Sequence, residues 1–204
     1  MSVMAVVFDI GGVLEVTPPT GWRERWAARL GIDRAELTRR LEPTHRAGDI
    51  GTISEREVDE RTAALLGLDD AALREWREDL WAEYLGTLNV ELAGYFAGLR
   101  PRYRTGILSN SFVGARERER AAYDFEAMCD VVVYSHEEGV KKPDPRFYLI
   151  ACERLGVEPE EVVFLDDVEM CVAGARDVGM RAVRFVDTAQ AVAAVDEVLA
   201  RRDS

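Results

Sequence analysis

The sequence is poor in cysteine and histidine, the residues that build thiolate metal sites and disulfide frameworks. Its 204 residues include three cysteines and two histidines. The cysteines are odd in number, widely spaced and without a CxxC pair, which argues against both kinds of site. We therefore expect buried free thiols in the reducing cytoplasm. These residues are Cys129, Cys152 and Cys171.

Long apolar runs and an excess of positive charge are also missing. No run approaches the roughly 20 residues of a transmembrane helix, and residues 1–4 lack the features of a secretory signal. We expect no membrane association. The net charge of −12 argues against nucleic-acid binding, which depends on basic grooves. It also repels phosphate esters, so a phosphate site would need local cations.

What the sequence does contain is an alternation of short apolar runs and helical patterns. The runs are typical of buried parallel strands, and the later intervening segments have helical periodicity and end signals. This order predicts an α/β fold with a doubly wound, Rossmann-like parallel sheet. The predicted strands cover residues 5–8, 104–108, 131–134, 162–165 and 181–186, and the later helices cover 145–155, 168–178 and 188–202.

Residues 17–89 break this alternation, because they have the pattern of consecutive helices with almost no strand signal. Ser54–Glu57 matches a capping box, and Asp70 can open a further helix. We expect an inserted helical bundle that lies over the crevice as a cap. The catalytic core would then consist of residues 1–16 and 90–204.

Asp9 follows the first apolar run and precedes Gly11 and Gly12. Taken alone, an aspartate at this place can simply form a turn. In an active site it would be a nucleophile that attacks phosphorus and forms an acyl-phosphate. The glycines would let backbone amides approach a ligand closely.

Two further segments follow the same pattern. Ser109 and Asn110 come directly after a strand and are by themselves typical of a turn or helix cap. Beside a phosphate, the Ser109 hydroxyl and nearby backbone amides would hydrogen-bond its oxygens. Lys142 is held on a stiff turn by the prolines that follow it. Its ammonium group can offset the charge of Asp9 and of a phosphate.

Asp166 and Asp167 follow the fourth apolar run. Two adjacent buried carboxylates repel each other and need a compensating cation. Capping of the next helix accounts for one of them but not for both. Mg²⁺ suits a site of few carboxylates, phosphate and water. Because strand ends in such a sheet converge on one crevice, the four segments predict a phosphoryl-transfer site.

These segments resemble the motifs of the haloacid dehalogenase-like (HAD) hydrolase superfamily. Within it, the chain looks most like the sugar-phosphate phosphatases and the phosphatase domains fused to epoxide hydrolases. The matching motifs are FDIGGVL at 8–14, LSN at 108–110, GVKKPDP at 139–145 and FLDD at 164–167.

The resemblance implies a Mg²⁺-dependent phosphatase acting on a small phosphorylated metabolite. Asp9 would be the nucleophile, Ser109 the phosphate-binding hydroxyl and Lys142 the stabilising cation. The helical insertion would be a cap that selects the substrate. The implied metal ligands are Asp9, the Gly11 carbonyl, Asp166 and Asp167, and the implied substrate contacts are Gly11, Gly12 and Asn110.

The sequence departs from the superfamily pattern at Gly11. Phosphatases of the superfamily usually carry a second aspartate there, which protonates the leaving alcohol, a role worth roughly 10²–10⁴-fold in rate. Glu15 or His45 could replace it, although a position on a helix surface is the simpler interpretation of His45. Arg46 lies in the segment 45–50, expected to be a loop between helices. It could contact a substrate anion or be solvated.

Other interpretations stay open at this point. A 2-haloacid dehalogenase uses the same aspartate to attack carbon, lacks the second aspartate and needs no metal. A catalytically weak relative with a binding or regulatory role would also account for Gly11. A phosphomutase fits less well because it needs an acid–base group. The sequence leaves the substrate and the oligomeric state open.

Overall fold

The structure, a computed structural model, describes residues 2–200. Seven strands lie in this part of the chain: β1 (Ala5–Phe8), β2 (Glu15–Val16), β3 (Thr87–Leu88), β4 (Arg104–Ser109), β5 (Val131–Tyr134), β6 (Val162–Asp166) and β7 (Arg181–Arg184). Five of them form a parallel sheet in the order β5-β4-β1-β6-β7. The predicted α/β parallel-sheet fold is therefore confirmed.

The helices of the described residues fall into two groups. The first group lies between β2 and β3 and consists of α1 (Trp22–Leu30), α2 (Arg34–Asp49), α3 (Glu55–Leu66) and α4 (Asp70–Leu85). The second group belongs to the sheet region and consists of α5 (Val90–Gly98), α6 (Ala115–Ala122), α7 (Phe125–Met128), α8 (Ser135–Glu138), α9 (Pro145–Leu155), α10 (Glu169–Asp177) and α11 (Thr188–Ala200), with a short 3-10 turn at Pro159–Glu161.

The first strand is buried on both faces, as its continuous apolar sequence predicts. Side chains alternate along a strand, so Val6 and Phe8 pack in one hydrophobic cluster with residues of α5 and α11. Ala5 and Val7 pack in a second cluster with residues of α9 and α10. Helices therefore cover both faces of the sheet, as expected for a doubly wound fold.

The segment between β2 and β3 has its own hydrophobic cluster. Trp22 and Trp26 pack edge-on against Trp76, with ring centroids 4.7 and 5.2 Å apart. The predicted capping box is present, since the Ser54 hydroxyl accepts from the Glu57 amide and the Glu57 carboxylate accepts from the Ser54 amide. The helical character predicted for this segment is correct.

Several predicted boundaries differ from the structure. Helix α2 continues to Asp49, so residues 45–49 are helical rather than a loop. Strand β7 ends at Arg184. The two-residue strands β2 and β3, which pair antiparallel, were not predicted because they are too short for a periodic pattern. The last predicted helical residues, 201 and 202, lie outside the described residues.

The cysteines and the helices of the described residues bear on two further expectations. All three cysteines are buried with free thiols, as predicted. No helix within residues 2–200 has the length and apolar character needed to cross a membrane.

Candidate active site

The strand register places three of the predicted segments side by side at the carboxyl edge of the sheet. Phe8 is aligned with Ile107 of β4 and with Leu165 of β6. The next residue, Asp9, therefore lies level with Leu108 and Asp166 at the carboxyl edge of the sheet. This edge is where open parallel sheets bind their ligands.

Lys142 joins these three positions. Its ammonium nitrogen lies 2.8 Å from Asp9 Oδ1 and 2.6 Å from Asp166 Oδ2, and it donates a hydrogen bond of 2.9 Å to the Leu108 carbonyl. Three acceptors thus match the three N–H donors of an ammonium group. Burial would lower the pKa of Lys142, but the two carboxylates outweigh it and raise that pKa. Lys142 is therefore charged.

Asn110 holds the lysine in place. Its side-chain amide donates to the Lys142 carbonyl at 3.0 Å, and its Oδ1 accepts from the Lys142 amide at 2.8 Å. The sequence pointed to Asn110 as a substrate contact. The structure gives it this positioning contact and also places it on the walls of two cavities described below.

Asp9 is 8% exposed, and its Oδ1 also accepts from the Ile10 amide at 2.8 Å. Burial, together with the negative charge of Asp166, raises the pKa of Asp9 to about 7 despite the opposing effect of Lys142. One lysine is thus insufficient to hold the carboxylate group fully ionised near neutral pH. A second cation beside Asp9 would favour its ionised, nucleophilic form.

The second cation has a matching set of donors. Asp9, Asp166 and Asp167 each offer a carboxylate oxygen, and these oxygens lie within 4.8 Å of one another. Asp166 is already fixed, since its Oδ1 accepts from the Val168 amide at 2.8 Å. Three hard oxygen donors close to solvent fit Mg²⁺ better than a soft metal.

Gly12 makes room for this cluster. Its φ of +75° lies in the left-handed region, and a Cβ added there would come within 2.4 Å of Asp167 Oδ2. Any larger residue would displace the carboxylate. Gly11 is different, because a Cβ at that position would meet no atom within 4 Å.

Two cavities meet at this edge of the sheet and share Gly11, Thr17 and Asn110. The first, of about 520 Å³, is lined by Asp9, Lys142 and Asp167 among others. The second, of about 300 Å³, lies between Ser109 and helices α2 and α4. Its walls come from both the sheet region and the helical insertion, so a molecule that reaches from Ser109 into it contacts both.

The residues predicted in the insertion have different surroundings. His45 was expected on a helix surface, but it lines the 300 Å³ cavity and packs edge-on against Phe112 at 5.7 Å between ring centroids. Burial and the charge of Arg23 lower its pKa. Arg46 is exposed and forms an ion pair with Glu42, and it is not among the residues that line either cavity.

Glu15 and Glu119 also line the 300 Å³ cavity. Glu15 was named from the sequence, whereas Glu119 was not singled out. Glu119 lies in the segment ARERERAA, whose charge suggests a solvated helix. The sequence signal that could have identified Glu119 is its spacing of four residues from Ala115, which places the two residues on one helix face. Both residues are fully buried.

The fold and the acidic cluster together define a class of hydrolases. The chain belongs to the haloacid dehalogenase-like hydrolase family, whose model matches residues 3–179. It is an enzyme of that hydrolase family, and its relatives include both phosphatases and dehalogenases.

Three relatives illustrate this range. Phosphatase MT3486 of Mycobacterium tuberculosis (strain CDC 1551 / Oshkosh) is 33% identical over 89% of this chain and 87% of its own length. Bifunctional epoxide hydrolase 2 of Sus scrofa is 26% identical over 97% of this chain, which spans only 39% of that longer protein. (S)-2-haloacid dehalogenase 4A of Burkholderia cepacia is 34% identical over 41% of this chain and 36% of its own length.

Solved structures support the fold. A HAD-like family hydrolase from Porphyromonas gingivalis superposes with a TM-score of 0.81 at 24% identity, over 99% of this chain and 100% of that one. A HAD family enzyme from Bacteroides thetaiotaomicron, solved in complex with magnesium and inorganic phosphate, superposes with a TM-score of 0.76 at 20% identity. That match covers 90% of this chain and 94% of the other.

Proposed function

We propose that the protein is a Mg²⁺-dependent phosphatase that hydrolyses a small phosphorylated metabolite through an aspartyl-phosphate on Asp9. The observation that carries this proposal is the buried Lys142, which lies 2.8 Å from Asp9 beside a cluster of three carboxylates. A cation and a divalent-ion site on either side of a nucleophilic carboxylate are what phosphoryl transfer requires.

The first step forms a bond between an Asp9 carboxylate oxygen and phosphorus, while the bond to the alcohol oxygen breaks and this oxygen takes a proton from Glu15 or His45. In the second step a water oxygen attacks the same phosphorus and returns a proton to that acid, and Asp9 leaves as a free carboxylate. Lys142 offsets negative charge throughout both steps. The Ser109 hydroxyl and the backbone amide at Gly11 are suited to donate to the phosphate oxygens. The Gly12 amide, which the sequence also pointed to, donates to the Glu15 carbonyl at 2.8 Å instead.

Asp9, Asp166 and Asp167, with the Gly11 carbonyl, would hold the Mg²⁺. When bound, this ion supplies charge neutralisation for the phosphate and for Asp9. Magnesium in a HAD family structure supports this choice of metal. The whole-protein charge of −12 makes such local neutralisation necessary, since the protein as a whole repels a phosphate ester.

We also propose that residues 17–89 form the substrate-selecting cap. The support is the 300 Å³ cavity, whose walls include His45 of α2 and Tyr84 of α4 opposite Ser109. Glu15 and His45 both line this cavity, so either can reach a leaving group in place of the acid that Gly11 does not supply. Arg46 could act on a substrate only if its ion pair with Glu42 opened.

The assignment of Asp9 is tested with Asp9→Asn. We expect this variant to lose Mg²⁺-dependent release of phosphate from p-nitrophenyl phosphate by at least about 10³-fold, since it removes the nucleophile. The exposed Asp70 offers a matched control, because Asp70→Asn changes a surface carboxylate far from either cavity. Unchanged activity of Asp9→Asn would contradict the proposal.

The second candidate function is 2-haloacid dehalogenation. It is favoured by Gly11, since that reaction needs no acid at this position, and disfavoured by the carboxylate cluster, since it needs no metal. Chloride release from a 2-haloacid in the presence of a chelator would establish it. If a panel of phosphorylated metabolites is bound but not turned over, the binding or regulatory role is correct instead.

A further inference from the structure

Two buried glutamates lie on the wall of the 300 Å³ cavity. Glu119 has no role in the reaction proposed above, and Glu15 is one of two candidates for its acid. Glu15 is 1% exposed and Glu119 is fully buried, yet both line the cavity. Among the described residues, the Oε1 atom of each has no hydrogen-bond partner, although the Tyr84 side chain lies close enough to Glu119 to lower its pKa. A buried carboxyl oxygen without a partner is costly, so these two atoms point to a ligand that supplies donors.

Within residues 2–200, the cations beside this pair are already engaged by other carboxylates. Arg116, the cation whose charge acts on Glu119, lies over the Tyr134 ring and forms ion pairs with Glu126 and Glu137. The other oxygen of Glu119 accepts from the Tyr134 hydroxyl.

On the opposite wall, Arg23 is engaged in an ion pair with Glu83. Each arginine near the two glutamates is therefore already bound to other carboxylates.

The electrostatic cost of this arrangement is visible at both residues. Burial and the neighbouring charges of Glu119 and Asp9 raise the pKa of Glu15 to about 9. Burial likewise raises the pKa of Glu119 to about 7, although the Tyr134 hydroxyl acts in the opposite direction. Two interacting carboxyl groups in one cavity wall thus lack the positive charge that would stabilise their ionised forms.

We propose that Glu15 and Glu119 form a cation subsite that binds a primary ammonium group on the leaving-group portion of the substrate. This inference rests on the phosphatase function proposed above and narrows its substrate class to phosphate monoesters of amino alcohols or amino sugars. The phosphate would lie beside Asp9, at Gly11 and Asn110 where the two cavities meet, and the ammonium group between the two glutamates.

An ammonium group fits the pair better than a hydroxyl or a metal ion. It brings three N–H donors and a full positive charge, whereas a hydroxyl supplies a single donor and no charge. A metal ion would need more ligands than the two glutamates supply. Within residues 2–200, the group of three or more side chains that could hold a metal ion consists of Asp9, Asp166 and Asp167, and neither glutamate belongs to it.

The test compares substrates that differ only in the ammonium group, using the Mg²⁺-loaded protein. The pairs are 2-aminoethyl phosphate with 2-hydroxyethyl phosphate, and glucosamine 6-phosphate with glucose 6-phosphate. We expect kcat/KM to favour the amine at least tenfold in one or both pairs. Equal values in both pairs, or a preference for the hydroxyl compounds, would overturn the subsite.

Glu119→Gln and Glu15→Gln then test the residues themselves. Each variant is expected to reduce the amine-to-hydroxyl ratio of kcat/KM at least fivefold. Glu60→Gln, which removes an exposed carboxylate, is the matched control and should keep the wild-type ratio. An equal loss on both members of a pair would assign the glutamates a structural role and refute the proposal.

Binding separates a failure of this inference from a failure of the phosphatase function. If no phosphate is released from any compound, including p-nitrophenyl phosphate, the proposed function is wrong. Calorimetric titration of the wild-type protein with 2-aminoethyl phosphate and with 2-hydroxyethyl phosphate still decides the subsite. Tighter binding of the amine supports it, and equal binding or no binding of either compound contradicts it.

Discussion

Gly11 offers the sharpest test of how the leaving group is protonated. The position faces both cavities, and a Cβ built there meets no atom within 4 Å. Unlike Gly12, Gly11 does not have a positive φ. A side chain can therefore be added at this position without the strain expected at Gly12.

Gly11→Asp should accelerate hydrolysis of alkyl phosphates. General acid catalysis contributes roughly 10²–10⁴-fold, which corresponds to about 3–5 kcal/mol of barrier. The gain applies to a poor leaving group such as an alkoxide, which must be protonated. It should be below about tenfold for p-nitrophenyl phosphate, because its leaving group is stable as an anion. The measured quantity is kcat for both substrates at saturating Mg²⁺.

Gly11→Asn is the matched control, since it adds nearly the same volume without an acid. The reasoning predicts that it fails to reproduce the selective gain on the alkyl substrate. If Gly11→Asp leaves the ratio of alkyl to aryl kcat at the wild-type value, then protonation at position 11 is not what limits this enzyme. The acid would then already be supplied by Glu15 or His45.

Three further predictions concern the charges around the site. Lys142→Met should abolish turnover and lower the free energy of unfolding by about 3–5 kcal/mol in urea titrations, because it leaves two buried carboxylates unpaired. Gly12→Ala should raise the Mg²⁺ concentration for half-maximal activity by about 10-fold or more as Asp167 is displaced, while Gly94→Ala, where a Cβ meets nothing within 4 Å, should not. Glu119 binds its proton more tightly in the folded protein, with a pKa of about 7 against 4.5. The contribution of Glu119 to the free energy of unfolding should therefore fall by about 3 kcal/mol as pH rises from about 4.5 to 7. Glu119→Gln should lose that part of the decrease in urea titrations with chelator, and an unchanged pH dependence would refute the assignment.

The edge of the sheet that carries the candidate site could be predicted from the sequence because it follows from a general property of parallel sheets. Asp9, Ser109 and Asp166 lie at the carboxyl ends of buried strands, and Lys142 lies in a turn made stiff by the prolines that follow it. The carboxyl ends of neighbouring strands must meet. The predicted contact between Lys142 and Asp9 needed no information beyond that convergence and the opposite charges, whereas the contact between Lys142 and Asp166 was not predicted.

The position of the helical insertion against the sheet region could not be predicted in the same way. Residues 45–50 were expected to form a loop between helices, and the segment contains Gly48, a residue type that weakens an isolated helix. In the structure α2 continues through Gly48, where an added Cβ would meet the Phe112 ring at 2.4 Å. At Gly51 an added Cβ would lie 1.8 Å from the His136 carbonyl. These glycines permit close packing of distant segments, which local propensity does not reveal.

The candidate site carries more negative than positive charge, which bears on how it could bind a phosphate ester. Asp9, Asp166 and Asp167 face a single buried cation, Lys142, at this edge of the described structure. With all four groups ionised the local charge is −2, before any phosphate approaches. A dianionic phosphate ester would therefore meet net repulsion from the site as well as from the −12 charge of the whole chain. The proposed divalent ion would remove this local excess, so we expect it to assist substrate binding as well as the proposed chemical step.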